Sequence, residues 1–440
     1  IECLMQFNMY HHYTVDEHSI RCISVLSRIE RGELREELPI ASEILKGQID
    51  RPALYLACLL HDIGKGRERD HSELGAEIAE RVCARLGVDD ATRTMVVWLV
   101  RHHLLMSDVA QKRDIADPQT VRNFARTVQS TERLKLLCVL TVCDIMAVGP
   151  GVWNNWKAQL LRQLYRTTWQ ELTGTADGMS RAQMEQAARE AFAEAYAAIA
   201  PPEEVEAELG RHYPAYWLGF DTATQLAFAE MKKDAKPGEI LSRIIPDPDH
   251  DATRAMFYLE DHPGIFSRLA GALAIAGANV VDARTYTTRD AFATTVFWIQ
   301  DRDGKPYEKN QLDRLRRSVR RSLKGEWKTG DELKSREKVK RRERDFTVPT
   351  RITFDNDGSD IFTIIEVSAR DRPGLLYDLT RTLANAHVSI SSAVIVTYGA
   401  EAVDVFYVKD LFGLKIRNKT KLKGIEARLR AAIDGQQPDE

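Results

Sequence analysis

Ala53-Leu-Tyr-Leu-Ala-Cys-Leu-Leu-His-Asp-Ile-Gly-Lys65 opens with eight largely apolar residues and then meets two adjacent polar ones, His61 and Asp62. A run with no polar face is a helix central to a bundle. Polar groups that end such a helix inside the core need partners there. Leu134-Lys-Leu-Leu-Cys-Val-Leu-Thr-Val-Cys143 is a second run of this kind and ends on Asp144. An unpaired carboxylate buried there would cost roughly several kcal/mol or give up its charge, and a neighbouring cation removes that penalty. The two runs predict an all-helical module with polar chemistry at its centre.

Working outward, the module extends over residues 1–235. Leu74 to Leu86 and Met184 to Ile199 are amphipathic and predict peripheral helices. Seven of the eleven histidines (His11, His12, His18, His61, His71, His102 and His103) fall in the first 103 residues. Imidazole and carboxylate together suit borderline and hard divalent ions, and adjacent His61-Asp62 offers two ligands from one turn. His18, His61, Asp62 and Asp144 are therefore expected to hold metal, with His71 and one of the His102-His103 pair as further ligands. Spacing leaves open which of the two points inward. His11 and His12 are read as ordinary surface or core histidines.

Lys232 to Asp251, with Pro237, Gly238, Pro246 and Pro248, reads as a linker. Beyond it the period changes. Ala255-Met-Phe-Tyr-Leu-Glu260 and Thr294-Thr-Val-Phe-Trp-Ile-Gln300 are short, β-branched and aromatic, which predicts strands. Ile265 to Ala276 and the series Leu312, Leu315, Val319, Leu323 have helical spacing. The order strand, helix, strand, strand, helix then recurs. Asp261-His-Pro-Gly-Ile-Phe266 matches Asp371-Arg-Pro-Gly-Leu-Leu376, and Val296-Phe-Trp-Ile299 matches Val405-Phe-Tyr-Val408. This is an internal duplication.

Composition excludes several classes. The 440 residues predict about three domains. With 44% hydrophobic and 29% charged residues, the chain is neither wholly disordered nor membrane-embedded. Six cysteines without a CxxC pair make no disulfide framework or zinc knuckle, so reduced core thiols in a cytoplasmic protein are expected. A formal charge of −3 argues against a nucleic-acid coat. The stretch from Lys305 to Asp345 holds 16 Lys/Arg against 8 Asp/Glu, and its part from Lys334 to Arg344 is read as solvated linker or helix surface.

The order His18, His61-Asp62, Asp144 resembles the HD superfamily of metal-dependent phosphohydrolases, and His71 with His102/His103 resembles the longer ligand sets of its two-metal members. Tyr13-Thr-Val-Asp-Glu-His18, His61-Asp-Ile-Gly-Lys-Gly66, Asp70-His-Ser-Glu-Leu-Gly-Ala76, Trp98-Leu-Val-Arg-His-His-Leu-Leu-Met-Ser107 and Trp153-Asn-Asn-Trp-Lys157 resemble the uridylyl-removing part of bifunctional uridylyltransferase/uridylyl-removing enzymes. The duplicated module resembles tandem ACT domains, which that family also carries. The resemblance implies a multidomain chain: an all-α HD-type helical domain (1–235) followed by two α+β ferredoxin-like ACT domains (251–328 and 360–436).

It further implies hydrolysis of the phosphodiester joining UMP to a tyrosine of the PII nitrogen-signalling protein, with one or two ions of Mn²⁺ or Mg²⁺ and with glutamine as effector. No membrane or nucleic-acid partner is expected. His61, Asp62 and Lys65 would carry the chemistry, Lys65 by neutralising phosphate charge. The effector residues implied are Asp261, His262, Gly264, Ile265, Asn279 and Val280 in the first copy, and Asp371, Gly374, Leu375, Ser389 and Ile390 in the second. The copies differ, since His387 replaces Gly277 and Arg372 replaces His262.

Two other readings compete. Alarmone hydrolases also join HD and ACT parts, but their motif continues into a Glu-Asp pair, where this chain has Ile63-Gly-Lys-Gly-Arg67. A non-catalytic, amino-acid-sensing module that binds PII would be expected to have lost His61 or Asp62. The transferase signature of the family, Gly-Ser followed by Asp-x-Asp, is not met by Gly358-Ser359. With Ile1 as its first residue, the sequence is expected to be the C-terminal portion of a longer enzyme, without transferase activity of its own.

Overall fold

The computed structural model describes residues 3–4, 13–174, 181–233, 235–236, 238–324, 332–333, 348–398 and 400–435. His11, His12 and the basic stretch Lys334 to Arg344 lie outside the described residues. Contacts divide the chain into two compact units, residues 1–177 and 178–440.

The first unit is helical: α1 (Val15–Glu30), α2 (Pro39–Lys46), α3 (Arg51–Leu60), α4 (His71–Arg85), α5 (Asp90–Arg101), α6 (Leu105–Lys112), α7 (Pro118–Val128), α8 (Thr131–Ala147) and α9 (Asn155–Thr173). The two apolar runs are α3 and α8. Helix α3 starts where Asp50 accepts a hydrogen bond from Ala53 N and Pro52 occupies the first turn; α8 starts where Ser130 accepts from Arg133 N. In α8, every residue from Leu136 to Cys143 is buried, so this helix forms the middle of the bundle against α1 and α3. A Leu140→Ala change there would cost about 2–5 kcal/mol through the cavity left behind. No described helix is long and apolar enough to cross a membrane.

The second unit begins with four helices, α10 (Arg181–Ala197), α11 (Pro202–Arg211), α12 (Pro214–Gly219) and α13 (Thr222–Lys233). Sequence reading groups these with the helical module up to residue 235. By contact they belong with the sheet instead, because their aromatic residues cover one of its faces: the Phe220 ring lies 5.0 Å from Tyr286, and Arg211 pairs with Asp290 at 2.9 Å. The sheet strands are β1 (Leu241–Asp247), β2 (Ala252–Glu260), β3 (Asn279–Thr287), β4 (Phe292–Gln300), β5 (Arg351–Asp355), β6 (Thr363–Arg370), β7 (Val388–Tyr398) and β8 (Glu401–Asp410). Helices α14 (Ile265–Ala276), α15 (Lys309–Leu323), α16 (Leu375–Asn385) and α17 (Lys419–Ile433) enclose the main core against the other face.

All neighbouring strands are antiparallel, in the order β1-β2-β4-β3-β7-β8-β6-β5. The duplication is visible in detail. Gly264 and Gly374 both sit at φ 85° and ψ 0° ahead of the first helix of their copy, a left-handed position that favours glycine. The copies meet where β3 pairs with β7, and Ala283 stands opposite its own counterpart Ala393. Two strands escape the sequence reading. β1 falls inside the expected linker, and β5 precedes the expected start of the second copy. Pro246 is tolerated in β1 because an edge strand pairs on one side only.

Candidate metal centre

Helix α1 turns His18 inward on the same face as Cys22, Val25 and Leu26. Helix α3 ends at His61, whose N–H still reaches Ala57 O, and a tight turn follows with Lys65 N donating to Asp62 O. Gly64 in that turn lies against the start of α4: a Cβ there would be 2.2 Å from His71 O. Asp70 caps α4 by accepting from Ser72 N and Glu73 N, which fixes His71 as its first residue. His103 follows the end of α5, and Asp144 comes from the last turns of α8.

These side chains converge. His18 Nε2 lies 3.2 Å from His61 Nε2 and 2.9 Å from Asp144 Oδ1. Asp62 Oδ2 is 3.8 Å from His18 Nε2 and 3.5 Å from His61 Nε2. The other oxygen of the same carboxylate, Oδ1, is 3.9 Å from His71 Nε2 and 3.6 Å from His103 Nε2. The cluster is thus two ligand groups sharing Asp62: His18, His61 and Asp62, with Asp144 beside them; and Asp62, His71 and His103. Donor atoms about 3–4 Å apart suit an ion bound at about 2.0–2.2 Å from each.

The hydrogen bonds leave these histidines able to act as ligands. A carbonyl can only accept, so His61 Nδ1 donates to Cys58 O at 2.9 Å and His103 Nδ1 donates to Val100 O at 2.7 Å. Each ring is thereby oriented, and in its neutral form its Nε2 carries a lone pair toward the cluster. His71 Nε2 and His103 Nε2 are buried with no hydrogen-bond partner, a vacancy a cation would fill.

Charge tells the same story. Burial alone would lower His61, but the carboxylates of Asp62 and Asp144 outweigh it and raise its pKa to about 9. Burial would raise Asp62 and Asp144; the charge of His61 and the imidazole of His103 facing Oδ1 hold Asp62 low, and a hydrogen bond from His18 with the charge of His61 holds Asp144 low. His71 is lowered by burial and by His103. Two ionised carboxylates among imidazoles make a site electrostatically suited to a divalent cation.

Of the expected ligands, His18, His61, Asp62, His71, His103 and Asp144 come together. His102 does not: its ring lies against Trp98 with centroids 4.9 Å apart, half-buried on the other side of the turn. Lys65, expected to neutralise phosphate charge, lies with Nζ 2.7 Å from Asp62 Oδ2. Sequence reading missed the roles of Gly64 and Gly75. Both permit close approach, and a Cβ on Gly75 would lie 3.1 Å from Val100 Cγ1. The signal was the pair of glycines within the quoted motifs.

The effector residues divide differently from their order in sequence. Asp261, His262, Gly264 and Ile265 form the turn after β2, and Asp261 Oδ2 accepts from Thr287 Oγ1 at the far end of β3. Asn279 and Val280 lie at the opposite end of that strand, so one copy does not bring its two sets together. Because β3 and β7 are antiparallel, the Thr287 end of β3 runs toward Ser389 and Ile390, where β7 begins. Conversely, the turn with Asp371, Gly374 and Leu375 lies toward the Asn279 end. Matching register shifts follow Val280 and Ile390.

Comparison with known proteins agrees with this architecture. Residues 15–147 match the HD domain, residues 253–309 the ACT domain, and residues 351–436 the ACR9-like, ACT-like domain. The chain is 57% identical over 437 residues to the bifunctional uridylyltransferase/uridylyl-removing enzyme of Ruegeria pomeroyi, covering 98% of this chain and 48% of that protein. It is 59% identical over 433 residues to the enzyme of that name from Cereibacter sphaeroides (98% and 46%), and 44% identical over 434 residues to that of Gluconobacter oxydans (98% and 46%). The chain spans about half the length of these curated relatives. In an HD domain followed by ACT domains, matched along nearly its whole length, the chain is similar to the HD-and-ACT part of the bifunctional uridylyltransferase/uridylyl-removing enzymes.

Proposed function

We propose that this chain hydrolyses the phosphodiester between UMP and a tyrosine of uridylylated PII protein, in the cytoplasm, with Mn²⁺ or Mg²⁺, and that glutamine regulates it through the ACT copies. The observation that carries the reading is Asp62, one carboxylate shared by His18 and His61 on one oxygen and by His71 and His103 on the other. The relatives' name gives uridylyl removal as their activity, and the donor set fits a hard or borderline divalent ion.

His18, His61, Asp62 and Asp144 would hold one ion, and Asp62, His71 and His103 a second. A bound divalent ion supplies Lewis-acid polarisation of the phosphoryl oxygens and a water acidified toward a pKa of ~7. The chain's own residues do the positioning. The carbonyls of Cys58 and Val100 orient the rings of His61 and His103, and Lys65 offsets negative charge at Asp62. A tyrosine leaving group, with an ordinary pKa of ~10, departs more readily than an aliphatic alkoxide and asks little of a general acid.

The test is UMP release from uridylylated PII, followed chromatographically with Mn²⁺ present. The unaltered chain releases UMP. The double variant His61→Ala, Asp62→Ala releases none, while its helical circular dichroism is retained. Release undiminished in that variant would refute the reading, as would release of pyrophosphate from the alarmone with none from PII-UMP.

A further inference from the structure

The strand that leads to the last helix of each ACT copy ends in the same turn. In the first copy Asp301 N donates to Lys305 O at 2.8 Å, and Asp301 Oδ1 accepts from Asp303 N and Lys305 N. In the second, Asp410 N donates to Leu414 O at 2.9 Å, and Asp410 Oδ1 accepts from Phe412 N and Leu414 N. Gly304 and Gly413 hold the matching left-handed position, at φ 71° and 76°. The other turn residues diverge: Arg302, Asp303 and Lys305 in the first copy, Leu411, Phe412 and Leu414 in the second. Those three apolar residues are 60%, 88% and 63% exposed. Polar residues make the same turn, so its backbone does not require apolar ones. Large apolar side chains grouped in the open mark a contact surface.

The chain beyond the turn diverges in charge. Lys415-Ile-Arg-Asn-Lys-Thr-Lys-Leu-Lys423 carries five cations and no acid. The equivalent stretch of the first copy, Pro306 to Asp313, sets Lys309 against Glu308 and Asp313. In the second copy Ile416 is buried and Leu422 packs against the core, while Arg417, Lys419 and Lys423 are exposed. Lys415 is tied to the carbonyls of Asn356 and Ser359. Against these cations stand Asp357 and Asp360, in the loop that Lys415 holds; Asp355 and Asp410 are engaged in their own turns. Lys419, Lys421 and Lys423 open α17, where the helix dipole favours acids, so the helix itself gains nothing from them.

We propose that Leu411, Phe412 and Leu414 insert into the surface of an anionic lipid bilayer, and that Arg417, Lys419, Lys421 and Lys423 hold the second ACT copy against its headgroups. An apolar element beside a polybasic one gives a domain a reversible membrane contact that neither gives alone. The cytoplasmic leaflet of a membrane is negatively charged, which matches the sign of this segment. Such a contact lies on the bilayer and needs no spanning helix. A nucleic acid would use the cations and could stack a base on Phe412, but it leaves Leu411 and Leu414 in water. A protein partner needs a pocket shaped to the projecting turn, whereas a bilayer receives the turn without one.

The experiment is cosedimentation of the whole chain with vesicles, either of phosphatidylcholine alone or with roughly a third phosphatidylglycerol to supply the negative charge. The chain is expected to bind the anionic vesicles at least tenfold more tightly than the neutral ones. The triple variant Leu411→Arg, Phe412→Asp, Leu414→Lys copies the turn of the first ACT copy and makes the tip more positive by one charge. It is expected to bind at least tenfold more weakly, with its melting temperature unchanged. Binding through charge alone would survive that variant, and such survival would overturn the insertion. Arg417→Glu combined with Lys423→Glu is expected to weaken binding at least tenfold as well, and undiminished binding there would remove the basic segment from the contact. No cosedimentation with anionic vesicles would overturn the proposal, as would tighter binding of the unaltered chain to a single-stranded DNA oligonucleotide than to those vesicles.

Discussion

Gly64 and His71 touch through their backbones: a Cβ placed on Gly64 would lie 2.2 Å from the His71 carbonyl oxygen and 2.8 Å from Gly75 N. The turn that presents Asp62 is thereby locked against the helix that presents His71, and no flexible side chain intervenes to absorb a change. Gly64→Ala must push the first turn of α4 away, costing about 1–3 kcal/mol by overpacking. His18, His61 and Asp144 stand on other helices and keep their places. The expected outcome is a lower melting temperature and selective weakening of one of two manganese sites, by tenfold or more, in titrations followed by metal analysis. Two unchanged manganese affinities would show that His71 does not depend on this contact.

The neighbours His102 and His103 should behave as opposites. His103 is buried, held by Val100 O through Nδ1, and aimed at Asp62. His102 rests on Trp98. Loss of a metal ligand or of its orientation typically costs 10–100-fold or more in affinity or activity. His103→Ala is expected to lower metal-dependent phosphodiester hydrolysis at least 100-fold, and His102→Ala less than fivefold. Steady-state rates with a nitrophenyl phosphodiester and Mn²⁺ decide it. Equal losses in both variants would remove His103 from the ligand set.

Part of the polar cluster was legible in the sequence because it ends long apolar stretches. His61-Asp62 follows the run from Ala53 to Leu60 in α3, and Asp144 follows the run from Leu136 to Cys143 in α8, interrupted only by Thr141. His102 and His103 could not be told apart, since the end of α5 is where helical periodicity stops and the backbone turns. The duplicated fold was legible because the Asp-x-Pro-Gly turn fixes the same backbone in both copies. The edge strands β1 and β5 were not. Their pairing partners lie in other strands, and β1 carries a proline that reads locally as a break. Asp404 escaped notice because a single Asp in Ala402-Val-Asp-Val-Phe406 looks like the polar face of an alternating strand. Only the helices packed over that face reveal that it is buried.

That burial makes stability depend on pH. A carboxyl raised in the folded state to about 8, from about 3.9 when unfolded, is protonated more readily in the native chain. Its protonation costs the fold nothing below the unfolded pKa. As pH rises from about 4 to about 8, the unfolded chain ionises Asp404 freely while the native chain resists, so stability falls across that window by a few kcal/mol at most. Asp404→Asn removes the titrating proton and leaves a neutral group of nearly the same shape. The variant is therefore expected to match the unaltered chain in urea melts near pH 4.5 and to exceed it in stability near pH 8. Identical differences in unfolding free energy at the two pH values would mean that the Asp404 carboxyl is already paired in the native chain.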